Sequence, residues 1–123
     1  MIKKLIATAA LTTILALPAT ASPDIGREAP NFTARTADGK MLDLKSLRGK
    51  IVVLEWTNHD CPYVKMHYGA NNMQSTQKAA TGQGVVWLQV ISSPQGKPGF
   101  LEGPGAIKKN EERNAVPTNV VLD

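Results

Sequence analysis

Two short apolar runs dominate the hydropathy of this chain, "IVVLEW" at 51–56 and "VVWLQVISS" at 85–93. Neither alternates with polar residues. Unbroken runs of this length predict strands covered on both faces, as in parallel sheets, so Ile51–Trp56 is expected as a central strand and Val85–Ser93 as a second buried one. A third apolar stretch closes the chain in "VPTNVVLD". Upstream, "TARTADGKMLDLKSLRGK" predicts a hairpin turning at Asp38-Gly39, with Leu42 and Leu44 alternating on the return arm. "SPDIGREAPNF" before it reads as an extended, Pro-containing lead-in.

Helical spacing appears after the first long run. Pro62 suits the first position of a helix, where a missing N–H costs nothing. Met66, Ala70, Met73, Gln77 and Ala80 then recur at helical intervals, interrupted by Gly69 and Asn71-Asn72. The pattern predicts a short helix to about Tyr68, a break, and a second helix capped by Asn71 or Asn72 that ends near Gly82-Gln83-Gly84. "PQGKPGFLEGPG" is a loop, and "AIKKNEERN" a short charged helix. A hairpin followed by βαβαβ defines an α/β fold with three layers and crossover connections.

The first 21 residues change the picture of where the protein works. Lys3-Lys4, the apolar "LIATAALTTILALP" and Ala19-Thr20-Ala21 have the order of a secretory signal peptide. The run is too short for a comfortable membrane span, so no stable membrane association is expected after cleavage. The domain division is therefore 1–21 signal peptide and 22–123 one small domain, exported to a bacterial periplasm. The chain has 14 Lys and Arg against 10 Asp and Glu; Lys3 and Lys4 leave with the signal, so twelve remain against ten, a net +2. That excess is too small and too dispersed to indicate nucleic acid or anionic lipid as a partner.

Cys61 is the single cysteine. With no intramolecular disulfide available, it is either an inert buried group or a reactive one. It stands where a strand runs into a helix. There, backbone N–H groups and the positive end of the helix dipole lower a thiol pKa from about 8.5. Lys65 assists, Asp60 opposes, and His59 is close enough in sequence to act either way. A carboxylate in an apolar strand makes Glu55 a candidate for proton transfer. A soft-metal alternative, with His59, Asp60, Cys61, Met66, His67 and Met73 offered to Cu(I), is weakened because Cys61 and His67 fall on roughly opposite faces of one helix. Neither metal nor cofactor is required by the candidate site.

Gly26, Ala29-Pro30, Phe32, Asp38-Gly39, Leu44, Leu47-Arg48-Gly49-Lys50, the following strand and Cys61-Pro62 together resemble the opening of the redoxin branch of thioredoxin-like proteins. That branch includes the alkyl hydroperoxide reductase/thiol-specific antioxidant proteins and TlpA-like periplasmic thioredoxins. The resemblance implies a thioredoxin-like three-layer sandwich, incomplete at its C-terminus, and a thiol oxidoreductase or antioxidant activity. It also implies an external thiol reductant or thiol/disulfide protein as partner. Glu55 lies at the offset of the buried thioredoxin acid, which takes a proton from the resolving thiol. Three departures matter. Val64 replaces the second cysteine of a CxxC. Leu54 and Asn58 stand where peroxiredoxins place Pro and Thr or Ser, with Thr57 one residue out of register, and no later Arg is evident to hold a peroxide. The candidate catalytic set is Cys61, Glu55 and Thr57. Val116-Pro117-Thr118 resembles the cis-Pro loop that faces the active cysteine, although in the redoxin branch a similar strand also precedes a further turn, a helix and the true cis-Pro. The alternative function is a degenerate thioredoxin-fold binding module without turnover.

Overall fold

The structure, a computed structural model, describes residues 24–123. The proposed signal peptide lies outside the described residues. The chain divides into two compact units, 1–30 and 31–123. In the described part of the first, the lead-in is turned rather than extended, with Arg27 N–H donating to Asp24 O at 3.2 Å.

The second unit is a mixed five-stranded sheet with helices. In chain order its elements are β1 (Thr33–Thr36), β2 (Met41–Asp43), a 3-10 turn (Leu44–Leu47), β3 (Val52–Trp56), α1 (Pro62–Gly69), α2 (Asn72–Gly82), β4 (Val86–Ile91), α3 (Gly103–Glu112) and β5 (Asn119–Leu122). The strands lie in the order β2-β1-β5-β4-β3. The hairpin β1–β2 is antiparallel, and Gly39, at φ +83°, supplies the left-handed residue its turn requires. Strands β3, β4 and β5 run parallel, with Glu55 beside Gln89 and Leu88 beside Asn119. Leu44 leaves the strand: Asp43 caps the 3-10 turn by accepting from Lys45 N–H at 3.0 Å, which ends β2 one residue early.

Both faces of the sheet carry a core. Val86, Leu88, Val90 and Val121 cluster on one face with Leu42 and Leu47; Ile91, Val120 and Ala37 pack with Ala106 of α3 on the other. The parallel sheet places its burial differently from the expectation. All six residues of β4 are buried, whereas β3 is an edge strand, with Leu54 37% and Trp56 62% exposed and Ile51 just before it 71% exposed. The two apolar runs look alike in sequence because a run reports hydrophobicity and not lateral position in a sheet. On β3 the period of two turns Val53 and Glu55 to the face that carries Trp87, Gln89 and the helices, and Leu54 and Trp56 to the opposite one.

Two further expectations are refined. Asn71 does hold the N-cap position of α2, but by adopting the left-handed conformation (φ 57°) rather than by a capping side chain. Helix α3 begins at Gly103, earlier than its charged segment. Here a side chain is excluded: a Cβ on Gly103 would stand 2.3 Å from the backbone oxygen of Ala37. Gly103→Ala is therefore expected to destabilise the fold by about 1–3 kcal/mol, since backbone must move to admit the methyl group. Gly105→Ala, which meets only the flexible Leu101 side chain at 3.3 Å, should shift the urea midpoint little.

Candidate functional site

The turn from β3 into α1 delivers Cys61. Thr57 N–H bonds Val90 O at 3.0 Å, extending the β3–β4 ladder by one residue. Asn58 then shapes the loop: its Oδ1 accepts from Asp60 N–H at 2.9 Å, its backbone oxygen accepts from Cys61 N–H at 3.0 Å, and its Nδ2 donates to Pro98 O at 3.2 Å. Such a side-chain turn is the habit of Asn. The loop after β4 buttresses it, with Gly99 N–H donating to Asp60 Oδ2 at 2.9 Å. Gly99 is required twice over, by its φ of +88° and because a Cβ there would meet the Asn58 side chain at 2.4 Å.

Cys61 is the N-cap of α1, with Pro62 at the first helical position. Cys61 is free and half-buried, and its sulfur makes no capping hydrogen bond. Lys65 N–H bonds Cys61 O at 3.0 Å, so the cysteine opens the helix it precedes. Thr57, buried, keeps a hydroxyl with no hydrogen-bond partner. The structure thus places Thr57 and Cys61 at opposite ends of one short loop.

Glu55 occupies a different environment. Its Oε1 accepts from the Tyr68 hydroxyl at 3.0 Å. Its Oε2 accepts from Trp87 Nε1 at 2.6 Å and from Gln77 Nε2 at 3.0 Å, with Gln89 Nε2 at 3.4 Å. The Tyr68 oxygen in turn accepts from Gln89 Nε2 at 2.6 Å and Gln77 Nε2 at 2.9 Å. Behind this cluster, Asn110 Nδ2 donates to Gln89 Oε1 at 2.7 Å, and the Arg113 guanidinium lies 3.9 Å from the Tyr68 ring centroid. No hydrogen bond joins Glu55 to Cys61. The acid ties β3 to α1, α2 and β4. Helix α2 meets the cluster through buried Gln74 and Gln77 in place of an apolar face, while Met66 is exposed.

Gln74 completes the frame. Its Nε2 donates to Tyr68 O at 2.8 Å and to Arg113 O at 2.7 Å, satisfying carbonyls at the C-terminal ends of α1 and α3. Burial, and next the Glu55 charge, push the Tyr68 hydroxyl pKa well above its ordinary 10, and burial lowers that of Arg113.

The sequence reading did not find Tyr68, Gln77, Gln89, Asn110 or Arg113. One signal was available: a glutamine in the middle of "VVWLQVISS" and a glutamine inside a helical stripe both demand buried partners. Pro117 does not face Cys61. It precedes β5 and Cys61 follows β3, and because these strands are parallel the two lie at opposite ends of the sheet; the Val116–Pro117 bond is trans. This favours the reading of "VPTNVVLD" as a strand other than that of the cis-Pro loop. Among the described residues no three His, Cys, Asp or Glu side chains gather as a metal site.

These features are those of a thioredoxin-like fold whose helix begins at a cysteine. The AhpC/TSA family model matches residues 25–123, and the chain belongs to that family. No curated protein matched significantly in sequence. Among solved structures, a thiol:disulfide interchange protein of the thioredoxin family from Chlorobium tepidum is 20% identical with a TM-score of 0.59, covering 83% of this chain and 63% of that one. A putative protein disulfide isomerase from Bacteroides thetaiotaomicron is 24% identical, TM-score 0.56, covering 81% and 58%. A secreted disulfide oxidoreductase from Mycobacterium tuberculosis is 22% identical, TM-score 0.54, covering 75% and 60%. The shared property is the fold, and the chain spans less than two thirds of the length of each.

Tyr68→Phe is expected to cost about 1–3 kcal/mol in urea unfolding, because Glu55 Oε1 loses its donor and Gln89 Nε2 its short acceptor. The raised Tyr68 pKa also fixes a sign. The folded state keeps this proton where the unfolded chain releases it, so stability is intact below pH 10 and falls as pH rises above it. In a Tyr63→Phe background, phenolate absorbance is expected to stay absent at pH 11 until the protein unfolds; titration in the native state would contradict this.

Proposed function

We propose that this protein is an exported thiol oxidoreductase in which Cys61 acts alone as the nucleophile on a disulfide or a peroxide. The observation that carries this reading is a free, half-buried cysteine at the N-cap of α1, one short loop after a strand of an AhpC/TSA-family fold. Attack on a disulfide forms a mixed disulfide with Cys61 and releases the other thiolate; attack on a peroxide forms the sulfenic acid and releases the alcohol or water. Val64 occupies the position of a second cysteine, so an outside thiol must resolve either product. It displaces Cys61 from the mixed disulfide, or condenses with the sulfenic acid and releases water, after which a second thiol regenerates Cys61. The partner is thus a thiol reductant or a thiol/disulfide protein, met in the periplasm after removal of residues 1–21.

Glu55 and Thr57 complete the proposed set. Glu55 holds α1 to the sheet through Tyr68, which positions Cys61, and it makes no hydrogen bond to the cysteine; its proposed proton-accepting role is toward the incoming resolving thiol. The Thr57 hydroxyl is buried and unpartnered at the start of the loop, which makes it the second candidate of the set.

A second reading, a binding module without turnover, is favoured by Asn58. It stands where peroxiredoxins place Thr or Ser, and its side chain is engaged by Asp60 N–H and Pro98 O. Cys61→Ser separates the two: partner binding survives it, and redox chemistry does not.

For the redox reading, treatment with hydrogen peroxide plus dimedone, or with an aromatic disulfide, is expected to give one stoichiometric adduct on Cys61 by mass spectrometry. No adduct under native conditions, with full labelling after unfolding, would contradict it. Glu55→Gln is expected to slow resolution of the mixed disulfide. A loss of about 100-fold, the low end for a placed acid or base, marks proton transfer, and a smaller loss with an unchanged pH profile marks positioning.

A further inference from the structure

The hydrogen bonds behind Glu55 run in one direction. Arg113 Nε and Nη2 donate to Asn110 Oδ1 at 3.0 and 2.8 Å. Asn110 Nδ2 donates to Gln89 Oε1 at 2.7 Å, Gln89 Nε2 to the Tyr68 oxygen at 2.6 Å, and the Tyr68 hydroxyl to Glu55 Oε1 at 3.0 Å. Each intermediate group therefore accepts on the side of Arg113 and donates on the side of Glu55. The two ends dictate this sense, because a guanidinium can only donate and a carboxylate only accept. An Asn110 or Gln89 amide turned the other way would set donor against donor and acceptor against acceptor.

Solvent does not substitute for a link, since Tyr68, Gln89 and Asn110 are 7%, 0% and 9% exposed. Hydrogen bonds joined head to tail in such surroundings polarise one another, so the loss of one weakens the rest. The chain of bonds crosses four elements, from the C-terminal end of α3 through β4 and α1 to β3. Arg113 is itself held by neutral groups: its guanidinium lies over the Tyr68 ring, and its backbone oxygen accepts from Gln74 of α2. Among the described residues it has no ion-pair partner.

We infer that Arg113 is a positioning residue for Glu55: through Asn110, Gln89 and Tyr68 it fixes which way the partners of the carboxylate face, and so where the carboxylate stands. The inference rests on the reading of Glu55 as acceptor of the resolving thiol's proton, and it names the group on α3 that keeps that acceptor in place.

Urea unfolding of the full chain, as single and double variants, tests this without turnover. Arg113 and Glu55 share no hydrogen bond, so independent roles would make their effects additive. The loss of folding equilibrium constant on Arg113→Met is expected to be about fivefold smaller in a Glu55→Gln background than in the parent. In Tyr68→Phe, where the last link is missing, that difference is expected to shrink to less than about twofold. Single variants give a second measurement should a double variant not fold. The Trp87 indole proton, bonded to Glu55 Oε2 at 2.6 Å, is expected to move upfield in Arg113→Met and to keep its parent resonance in Arg113→Lys, which retains a charged donor. Resolution of a Cys61 mixed disulfide is expected to slow in Arg113→Met, and not to slow further when Glu55→Gln is already present. Additive stabilities, an unmoved Trp87 resonance in Arg113→Met, or further slowing in the double variant would overturn the inference. So would a coupling undiminished in Tyr68→Phe, which would assign it to charge attraction across the cluster. Failure to form any Cys61 adduct counts against the redox reading alone, and the unfolding cycle and the indole resonance still decide the role of Arg113.

Discussion

One carboxylate decides how this domain is assembled. Glu55 leaves a strand that is otherwise apolar and gathers donors from Tyr68, Gln77, Trp87 and Gln89, which belong to two helices and the neighbouring strand. Glu55 is half-buried, and its partial removal from water is offset because each oxygen of the carboxylate accepts from at least one N–H or O–H group. The compensation has a structural consequence. The fully buried residues of helix α2 are Gln74 and Gln77, with Met73 and Ala80 half-buried beside them. The helical layer beside Cys61 is therefore tied by hydrogen bonds, which are directional and fix position more narrowly than apolar contact does.

From this anchor the site follows. Tyr68 sits seven residues after Cys61 on α1, so the bond from its hydroxyl to Glu55 fixes the helix that the cysteine opens. The other end is fixed by Asn58, which closes the loop by its own side chain and backbone, and by Gly99, which permits the close approach of the second loop. Cys61 is left half-buried between these two hydrogen-bonded elements. Cys61 is placed by this geometry, and Val64 stands where a CxxC would put a second cysteine.

Much of the fold was legible. The hairpin, the strand–cysteine–helix order, the break near Asn71 and the final strand all follow from turn residues, helical spacing and apolar runs, because these are local signals. Which run lies in the middle of the sheet was not legible, since Ile51–Trp56 and Val85–Ser93 have similar composition, and lateral order depends on contacts distant in sequence. Cys61 and Glu55 stood out as chemistry against an apolar background. Their separation did not, because an offset in sequence gives a strand face but not the partners waiting there. Gln77 falls in a helical stripe for the same reason: only the opposing carboxylate reveals that a polar position is the buried one.

Hydrogen exchange on the native protein tests the anchoring role of Glu55 most directly. If the carboxylate holds the helical layer, Glu55→Gln lowers protection of the α1 and α2 amides together, exposes the Trp87 indole N–H to exchange, and leaves the amides of β4 protected. Unchanged protection in α1 and α2 would show that apolar packing holds those helices, and that Glu55 is incidental to the placement of Cys61.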